Sequence, residues 1–402
     1  MNLRYYWIAA FSIFCVPAFA LTSVTVNCNG GAADYPSISA AIAALKTLPV
    51  SGNAAIAVTG VCTENVVIDN FAELTLNGQP GAAIVSPNSS AAIRIDHSNK
   101  IVVHGFGIRG GNPAVVARRG AGIVIDSCNV GSPTAKGPGS GIRFEQQAMG
   151  FVVDTSVDNF TSTGIVVNDG SSLTVQANVP VAITNSVAGA SAFNLSSLTL
   201  WGKITVQNNR DTGLSAFANS NLFVTGCNPG EMAIRGNGFG ILSGNSNLLV
   251  NCPVVIEANS YYGIFHEFSG LATLLNAVIR NNGGAVAGAD APGAGVLVDG
   301  ATFYFTAVQI LNNIGPGVKV VRGSRGYLFD MTVQSNSTDG VQVSQGSVVE
   351  MSTFNTVTGH PGADLLCNTG TTVFGSKIGI GKITCPGFSS ESGPKPFVPP
   401  IP

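Results

Sequence analysis

Gly295-Val296-Leu297-Val298-Asp299, Gly317-Val318-Lys319-Val320-Val321 and Gly340-Val341-Gln342-Val343-Ser344 state one pattern three times in succession. A glycine opens each stretch, and the residues after it alternate between two environments. Val296 and Val298 repeat as Val318 and Val320, then as Val341 and Val343. Alternation with a period of two marks a strand with one face buried. Gly295 to Gly317 is a step of 22 and Gly317 to Gly340 a step of 23. Working outward, the same motif opens at Gly141, Gly164, Gly213, Gly240 and Gly263, and Ala363 is expected to take the place after Gly340. The 49 residues from Gly164 to Gly213 accommodate two repeats, with Ala192 as the expected intermediate start. A period in the twenties is the mark of a solenoid, in which each repeat buries its apolar face against its neighbours.

Each repeat holds two further apolar stretches, such as Phe303-Tyr304-Phe305 and then Val308 with Ile310. Three short strands per coil make the expected fold all-β: a single-domain right-handed parallel β-helix. Leucine-rich repeats share the period but need a leucine ladder, whereas Val and Ile dominate here. Asn209, Asn259, Asn313 and Asn336 each lie four residues before a motif glycine. Asparagine tolerates the left-handed conformation of a tight turn. Equivalent asparagines on successive coils are therefore expected to hydrogen-bond along the axis.

The ends of the chain differ from this pattern. Residues 1–20 read as a signal peptide: Arg4 gives the positive start, residues 7–16 the apolar stretch, and Ala18-Phe19-Ala20 the cleavage site. That apolar stretch is short for a bilayer span, which needs roughly 20 residues. The expected location is secreted or periplasmic, with no membrane span in the mature chain. Residues 21–54 are expected to form an N-terminal strand and a capping helix. Ile38, Ile42 and Leu45 fall on one face of that helix, which plugs the open end of the core. The β-helix itself is expected over residues 55–385, followed by a Pro-rich tail over 386–402.

Composition narrows the function. The chain is 45% hydrophobic and 10% charged, with a net charge of −2. It folds, and it has no basic stripe for nucleic acid. Export permits disulfides. Spacing favours Cys28–Cys62, Cys227–Cys252 and Cys367–Cys385, with Cys128 free and buried. No cysteine pair has the CxxC spacing of a zinc or redox site.

Three segments resemble the pectin-lyase-like superfamily of right-handed parallel β-helices. The helix over residues 35–45 is similar to the cap of many such proteins. Ile56-Ala57-Val58-Thr59-Gly60-Val61-Cys62-Thr63-Glu64-Asn65-Val66 resembles the first coil of the pectin methylesterase branch, and Ser98-Asn99-Lys100-Ile101-Val102-Val103-His104-Gly105-Phe106 an early coil of pectate lyases. The resemblance spans roughly residues 24–385 and implies the fold and a polysaccharide partner. The catalytic motifs of the branches do not carry over. Val124-Ile125-Asp126-Ser127-Cys128 lacks the Trp and His of the lyase core, and His104-Gly105 lacks the preceding glycine of the polygalacturonase motif.

Stacking supplies the candidate chemistry, because equivalent residues of adjacent coils sit about 4.8 Å apart. Glu267 and Asp299 each lie four residues past a motif glycine, so they form an expected carboxylate pair. Lys319 on the next coil is placed to reach Asp299, with Arg322 nearby as a substrate-binding group. Between the two acids lies an insertion, residues 284–294, containing Asp290. Paired carboxylates suit glycoside hydrolysis. They also suit a hard cation such as calcium, although no calcium motif is present. A Lys or Arg, Lys319 or Arg322, is then expected to act as the base of a lyase. The competing reading is a surface ion pair without chemistry.

Phe265 belongs to an outward apolar column, Leu242, Phe265 and Leu297, which either stacks on sugar or is covered by Phe397, Val398 and Ile401 of the tail. His266 falls at an inward offset and is expected to be a hydrogen-bonded core residue. Asp126 with Arg143 forms a second candidate site, Arg118-Arg119 is a candidate for acidic sugar, and His97, His104 and His360 stand isolated in sequence. Two functions follow: an enzyme acting on an acidic glycan as a lyase or hydrolase through Glu267, Asp299 and Lys319, or a non-catalytic β-helix that binds at a surface.

Overall fold

The computed structural model describes residues 22–47, 53–132, 134–284, 293–368, 370–386 and 388–390. The signal-peptide stretch, Asp290 and residues 391–402 of the tail, with Phe397, Val398 and Ile401, lie outside the described residues. The chain is a right-handed parallel β-helix in which all described strand pairings are parallel. Each coil contributes three strands. A glycine-led face runs in chain order through 14 strands, from Val66–Asp69 to Ile383–Thr384. A middle face follows it in each coil, as in Thr302–Thr306 and Arg325–Phe329. A third face closes the coil, as in Gln309–Leu311 and Thr332–Gln334. The long strands Ser172–Thr184 and Ser197–Gln207 bend around the corner between the middle and third faces.

Register is set by what each face buries. Ile264, Val296, Val318 and Val341 align across four coils, and all four are fully buried. A one-residue slip would turn that whole column toward solvent, so the coil-to-coil pairing has one solution.

The expected asparagine ladder is present and longer than the four residues that share an offset. Asn209, Asn237, Asn259, Asn282, Asn313 and Asn336 stack in buried positions at the turn before the glycine-led face. Asn237 escapes a fixed-offset search because its turn is one residue shorter, and Asn282 because the insertion separates it from Gly295. Each side chain works in both directions. The Asn259 Oδ1 accepts from the Asn237 backbone N–H and side-chain amide, both at 3.0 Å. The Asn259 Nδ2 donates to the Ile234 carbonyl at 3.2 Å and to Asn282 Oδ1 at 2.9 Å. The column ends where His360 Nε2 meets Asn336 Nδ2 at 3.1 Å.

The ladder explains the glycines. A Cβ on Gly263 would meet Ile279 Cγ2 at 2.6 Å, the Gly295 carbonyl at 2.7 Å and Asn282 Nδ2 at 2.9 Å. No side chain fits between one coil's turn and the next. This constraint also corrects two expected positions. The start between Gly164 and Gly213 is Gly189, not Ala192, because Thr163 pairs with Ala188 and Ala188 with Thr212. Small residues on both sides of Gly189 hide its alternation. After Gly340 the equivalent position is Asp364, not Ala363, because Val341 pairs with Leu365. There the His360 ring replaces asparagine and hydrogen-bonds Asp364 at 2.6 Å.

The cap helix spans Ile38–Thr47 and buries Ile38, Ala41, Ile42 and Leu45. Its N-terminus is tied to the first coil. Ser37 Oγ accepts from the Ala40 N–H at 3.1 Å, and the Glu64 carboxylate accepts from Ile38 at 2.8 Å and Ser39 at 2.9 Å. These bonds satisfy donors that a helix end leaves free, and a carboxylate there also suits the helix dipole. No helix among the described residues is long and apolar enough to cross a membrane.

The three expected disulfides are formed, and Cys128 is a free, buried thiol whose pKa burial pushes up to about 11. Cys28–Cys62 and Cys367–Cys385 fasten the two ends of the solenoid, and Cys227–Cys252 joins adjacent coils with Cα atoms 5.5 Å apart. Peptide mapping of unreduced protein is expected to return these three links, and finding Cys128 in any of them contradicts the fold.

The ladder generates a stability test. Asn259→Ala leaves the Asn237 backbone N–H and its side-chain amide without their buried acceptor, at roughly 1–3 kcal/mol for each orphaned group. Urea unfolding is expected to show a loss of at least about 2 kcal/mol, against about 0.5 kcal/mol or less for the exposed strand residue in Asn251→Ala. Equal losses would show that the ladder is incidental.

Candidate functional site

Glu267 and Asp299 end successive strands of the glycine-led face, Tyr262–Glu267 and Ala294–Asp299, and pair directly in register. The insertion between them leaves the register intact. The two acids differ in environment. Glu267 is half-buried, whereas Asp299 is 3% exposed. The cation on Asp299 is Arg322 and not Lys319, which corrects the expected pairing. Register gives the reason: Asp299 pairs with Val321, while Lys319 sits two residues earlier opposite Leu297. Arg322 follows Val321 in a left-handed turn and folds back over Asp299, with its guanidinium 5.7 Å from the Phe268 ring centre.

Burial raises the Glu267 pKa above the ordinary carboxylate range. The Asp299 charge raises it further, and Arg322 opposes both. The Arg322 guanidinium already supplies a cation to Asp299, so the pair is not a free ligand set for calcium. Among the described residues, the one group of three metal-type side chains is Cys28, Cys62 and Glu64. Its sulfurs are bonded to each other and its carboxylate caps the helix, so it is not a free ligand set.

Beside this pair lies an open cavity of about 480 Å³. Leu297 and Val321 give it an apolar lining, and Asp299, Lys319, Arg322, Gln342, Ser344 and Gln345 supply polar groups. Two features make it chemically unfinished. Asp299 Oδ1 is buried and has no hydrogen-bond donor among the described residues. Lys319 has no ion-pair partner among the described residues, whereas Arg322 does. The structure therefore brings Asp299, Lys319 and Arg322 together, and places Glu267 next to them but outside the lining.

Phe265 lies one coil before Leu297 in the same outward column, outside the cavity lining. It packs against Tyr262, with ring centres 5.5 Å apart, and against Phe239 at 6.2 Å. Leu242 and Phe265 are half-buried and Leu297 is 7% exposed, so the outward apolar column is already largely covered. His266 is fully buried and its pKa is pushed down to about 4 by burial, against a small opposing effect of the Gly270 backbone. It is a core residue as expected, but neither ring nitrogen has a partner of hydrogen-bonding geometry.

The other candidates separate. Asp126 does not meet Arg143. It lies on the middle face and binds His104 Nδ1 at 2.8 Å, while Arg143 is on the glycine-led face 3.9 Å from Glu145. Arg118 is occupied by a two-point interaction with the buried Asp96. The histidines that look isolated in sequence acquire acids through the fold: His97 with Asp69 at 3.2 Å, His104 with Asp126, and His360 with Asp364. The separation of 22 between His104 and Asp126 is one coil, which is the signal that reveals the pair.

No family model matches the chain, and no curated protein matches it in sequence. Among solved structures, the chain is similar to the A-module of the Azotobacter vinelandii mannuronan C-5 epimerase AlgE6, at 14% identity over 84% of this chain and 94% of that one, with a TM-score of 0.34. It is similar to tailspike protein 3 of bacteriophage CBA120 at 11% identity, covering 87% of this chain and 57% of that one, with a TM-score of 0.45. For pectin methylesterase from carrot the values are 9%, 92%, 88% and 0.23. Likenesses of this size carry no residue roles across.

The shifted Glu267 makes a pH prediction. A carboxyl whose pKa is raised by folding contributes stability below its unfolded pKa, and that contribution is lost as pH rises through the folded value. Glu267→Gln removes the charged form. Its unfolding midpoint relative to the parent chain is expected to be most favourable near neutral pH. The advantage should shrink toward about pH 4, where an ordinary glutamate protonates. A difference that does not change with pH would mean that Glu267 titrates normally.

Proposed function

We propose that this chain is an exported protein that binds acidic polysaccharide in the cavity beside Asp299. The observation that carries this reading is the open polar cavity, whose lining sets Lys319, without an ion-pair partner among the described residues, beside the amides of Gln342 and Gln345. A sugar offers hydroxyls to those amides, and Lys319 offers its ammonium to a sugar carboxylate on the same ligand. The three disulfides support an oxidising compartment outside the cytosol, which agrees with the signal-peptide reading.

A second reading, catalysis, is favoured by the raised pKa of Glu267, which burial and then the Asp299 charge push up. A shift in that direction suits a carboxyl to be a general acid. Asp299 is a poor partner nucleophile, because Arg322 holds its charge. On this reading Glu267 donates the proton to the leaving oxygen, and Lys319 is the base of a lyase. Since Asp299 is buried and ion-paired, its substitution mixes folding with chemistry, so Glu267 and Lys319 are the cleaner probes.

Affinity electrophoresis through gels containing polygalacturonate or alginate tests the binding reading. The protein is expected to be retarded in at least one gel. Lys319→Ala is expected to weaken retardation about tenfold, equivalent to roughly 1.4 kcal/mol. No retardation in either gel, or retardation indifferent to Lys319→Ala, removes this site. Ultraviolet absorbance of unsaturated products and assay of reducing ends on the same polymers test the catalytic reading, in which Glu267→Gln abolishes turnover while binding persists.

A further inference from the structure

Around the corner from the cavity, the middle face carries aromatic side chains that the Asp299 site does not use. Tyr304 and Tyr327 are register partners on adjacent coils, with ring centres 5.4 Å apart and planes 22° from parallel. Tyr327 and Phe329 lie along one strand, 6.0 Å apart and 17° from parallel. Phe354 meets Phe329 edge-on at 5.5 Å and is 64% exposed. Tyr304, Tyr327 and Phe329 are half-buried at outward positions, flanked inward by the buried Phe303, Phe305 and Leu328.

The geometry bears on what these rings do. Tyr327 has one neighbour along the helix axis and another along its strand. Near-parallel rings cannot stack face to face in two different directions, so they overlap like shingles and leave part of each face open. A half-exposed aromatic shelf across two coils is more apolar surface than a stack needs for its own stability. Its amphipathic groups suit a ligand with both apolar C–H faces and hydroxyls.

Charge selects among such ligands: the exposed Arg325, two residues before Tyr327 on the same strand, and Glu350 give the shelf one charge of each sign and no excess cation for an acidic polymer. Glu350 is the register partner of Tyr327 on the next coil. It has no ion-pair partner among the described residues, and burial raises its carboxyl pKa. Its proximity also raises the Tyr327 hydroxyl pKa, after the larger effect of burial. With no net charge the shelf has no preference for a sugar carboxylate or sulfate, whereas a neutral sugar gives both Glu350 and Arg325 hydroxyls to bind. We infer that Tyr304, Tyr327, Phe329, Phe354 and Glu350 form a second binding surface, for a neutral polysaccharide, independent of the Asp299 cavity. Tyr304 and Tyr327 are 23 apart in the chain, one coil, so the repeat period itself predicts the shelf once outward positions are aligned.

Affinity electrophoresis through hydroxyethylcellulose, xyloglucan and galactomannan gels tests this inference, with urea unfolding as the check on folding. Retardation is expected in at least one of these gels. It is expected to weaken at least tenfold in Tyr304→Ala/Tyr327→Ala and about threefold in the exposed-site variant Phe354→Ser. Tyr304→Phe/Tyr327→Phe, which keeps the rings, should retain most of the binding. Lys319→Ala should leave it unchanged. Retardation in none of the three gels overturns the inference, as does retardation indifferent to both the double alanine variant and Phe354→Ser. Loss of neutral-polymer binding in Lys319→Ala would show one shared site and also overturns it. Binding to neutral gels without binding to acidic ones would sustain this surface while removing the reading of the cavity.

Discussion

The buried asparagine column is the interaction on which the rest of the structure depends. At each tight turn the backbone N–H and the side-chain amide of one asparagine share the carbonyl oxygen of the next, as Asn237 does with Asn259. A chain of such bonds in a low-dielectric core is worth keeping complete, because each interior member leaves orphans when removed. The column leaves no room for a Cβ at the glycine that follows, and so dictates the opening residue of the strand. With the turn pinned, register is pinned, and every outward side chain of the glycine-led face acquires a defined neighbour one coil away.

That inheritance of register is what makes a site from residues far apart in sequence. Glu267, Asp299 and Arg322 come from three coils, yet their contacts follow from pairing alone plus one left-handed turn. The outcome is an asymmetric pair of acids. Asp299 is buried and ion-paired with Arg322. Glu267, next to that ion pair and partly desolvated, holds its proton more tightly. Two carboxylates at strand spacing reduce their mutual repulsion in this way.

Much of this was legible in the sequence, for a physical reason. A solenoid writes its tertiary contacts at a fixed period, so an alignment of repeats is nearly a contact map. Glu267 opposite Asp299, the Cys227–Cys252 link and the inward His266 all follow from offsets to the motif glycines. The misses occur where the period changes. The start at Gly189 lies beyond a long corner-crossing strand, Asp364 ends a coil lengthened by one residue between Met351 and Thr356, and Asn282 is separated from its glycine by the insertion. Lys319 was the natural partner for Asp299 on coil order alone. Arg322 wins because a turn with positive φ reverses its direction, and no periodicity reports that. The shelf of Tyr304 and Tyr327 is in phase but lies on the middle face, whose strands no motif glycine opens.

A crystal structure of the mature chain soaked with the acidic oligosaccharide that it binds best is the most direct measurement of the central claim. The account predicts ligand density across the coils between Asp299 and Gln345, with hydroxyls bonded to the Gln342 or Gln345 amide and a carboxylate against Lys319. Density confined to another face, or a saturating ligand that leaves the Asp299 cavity empty, would contradict it.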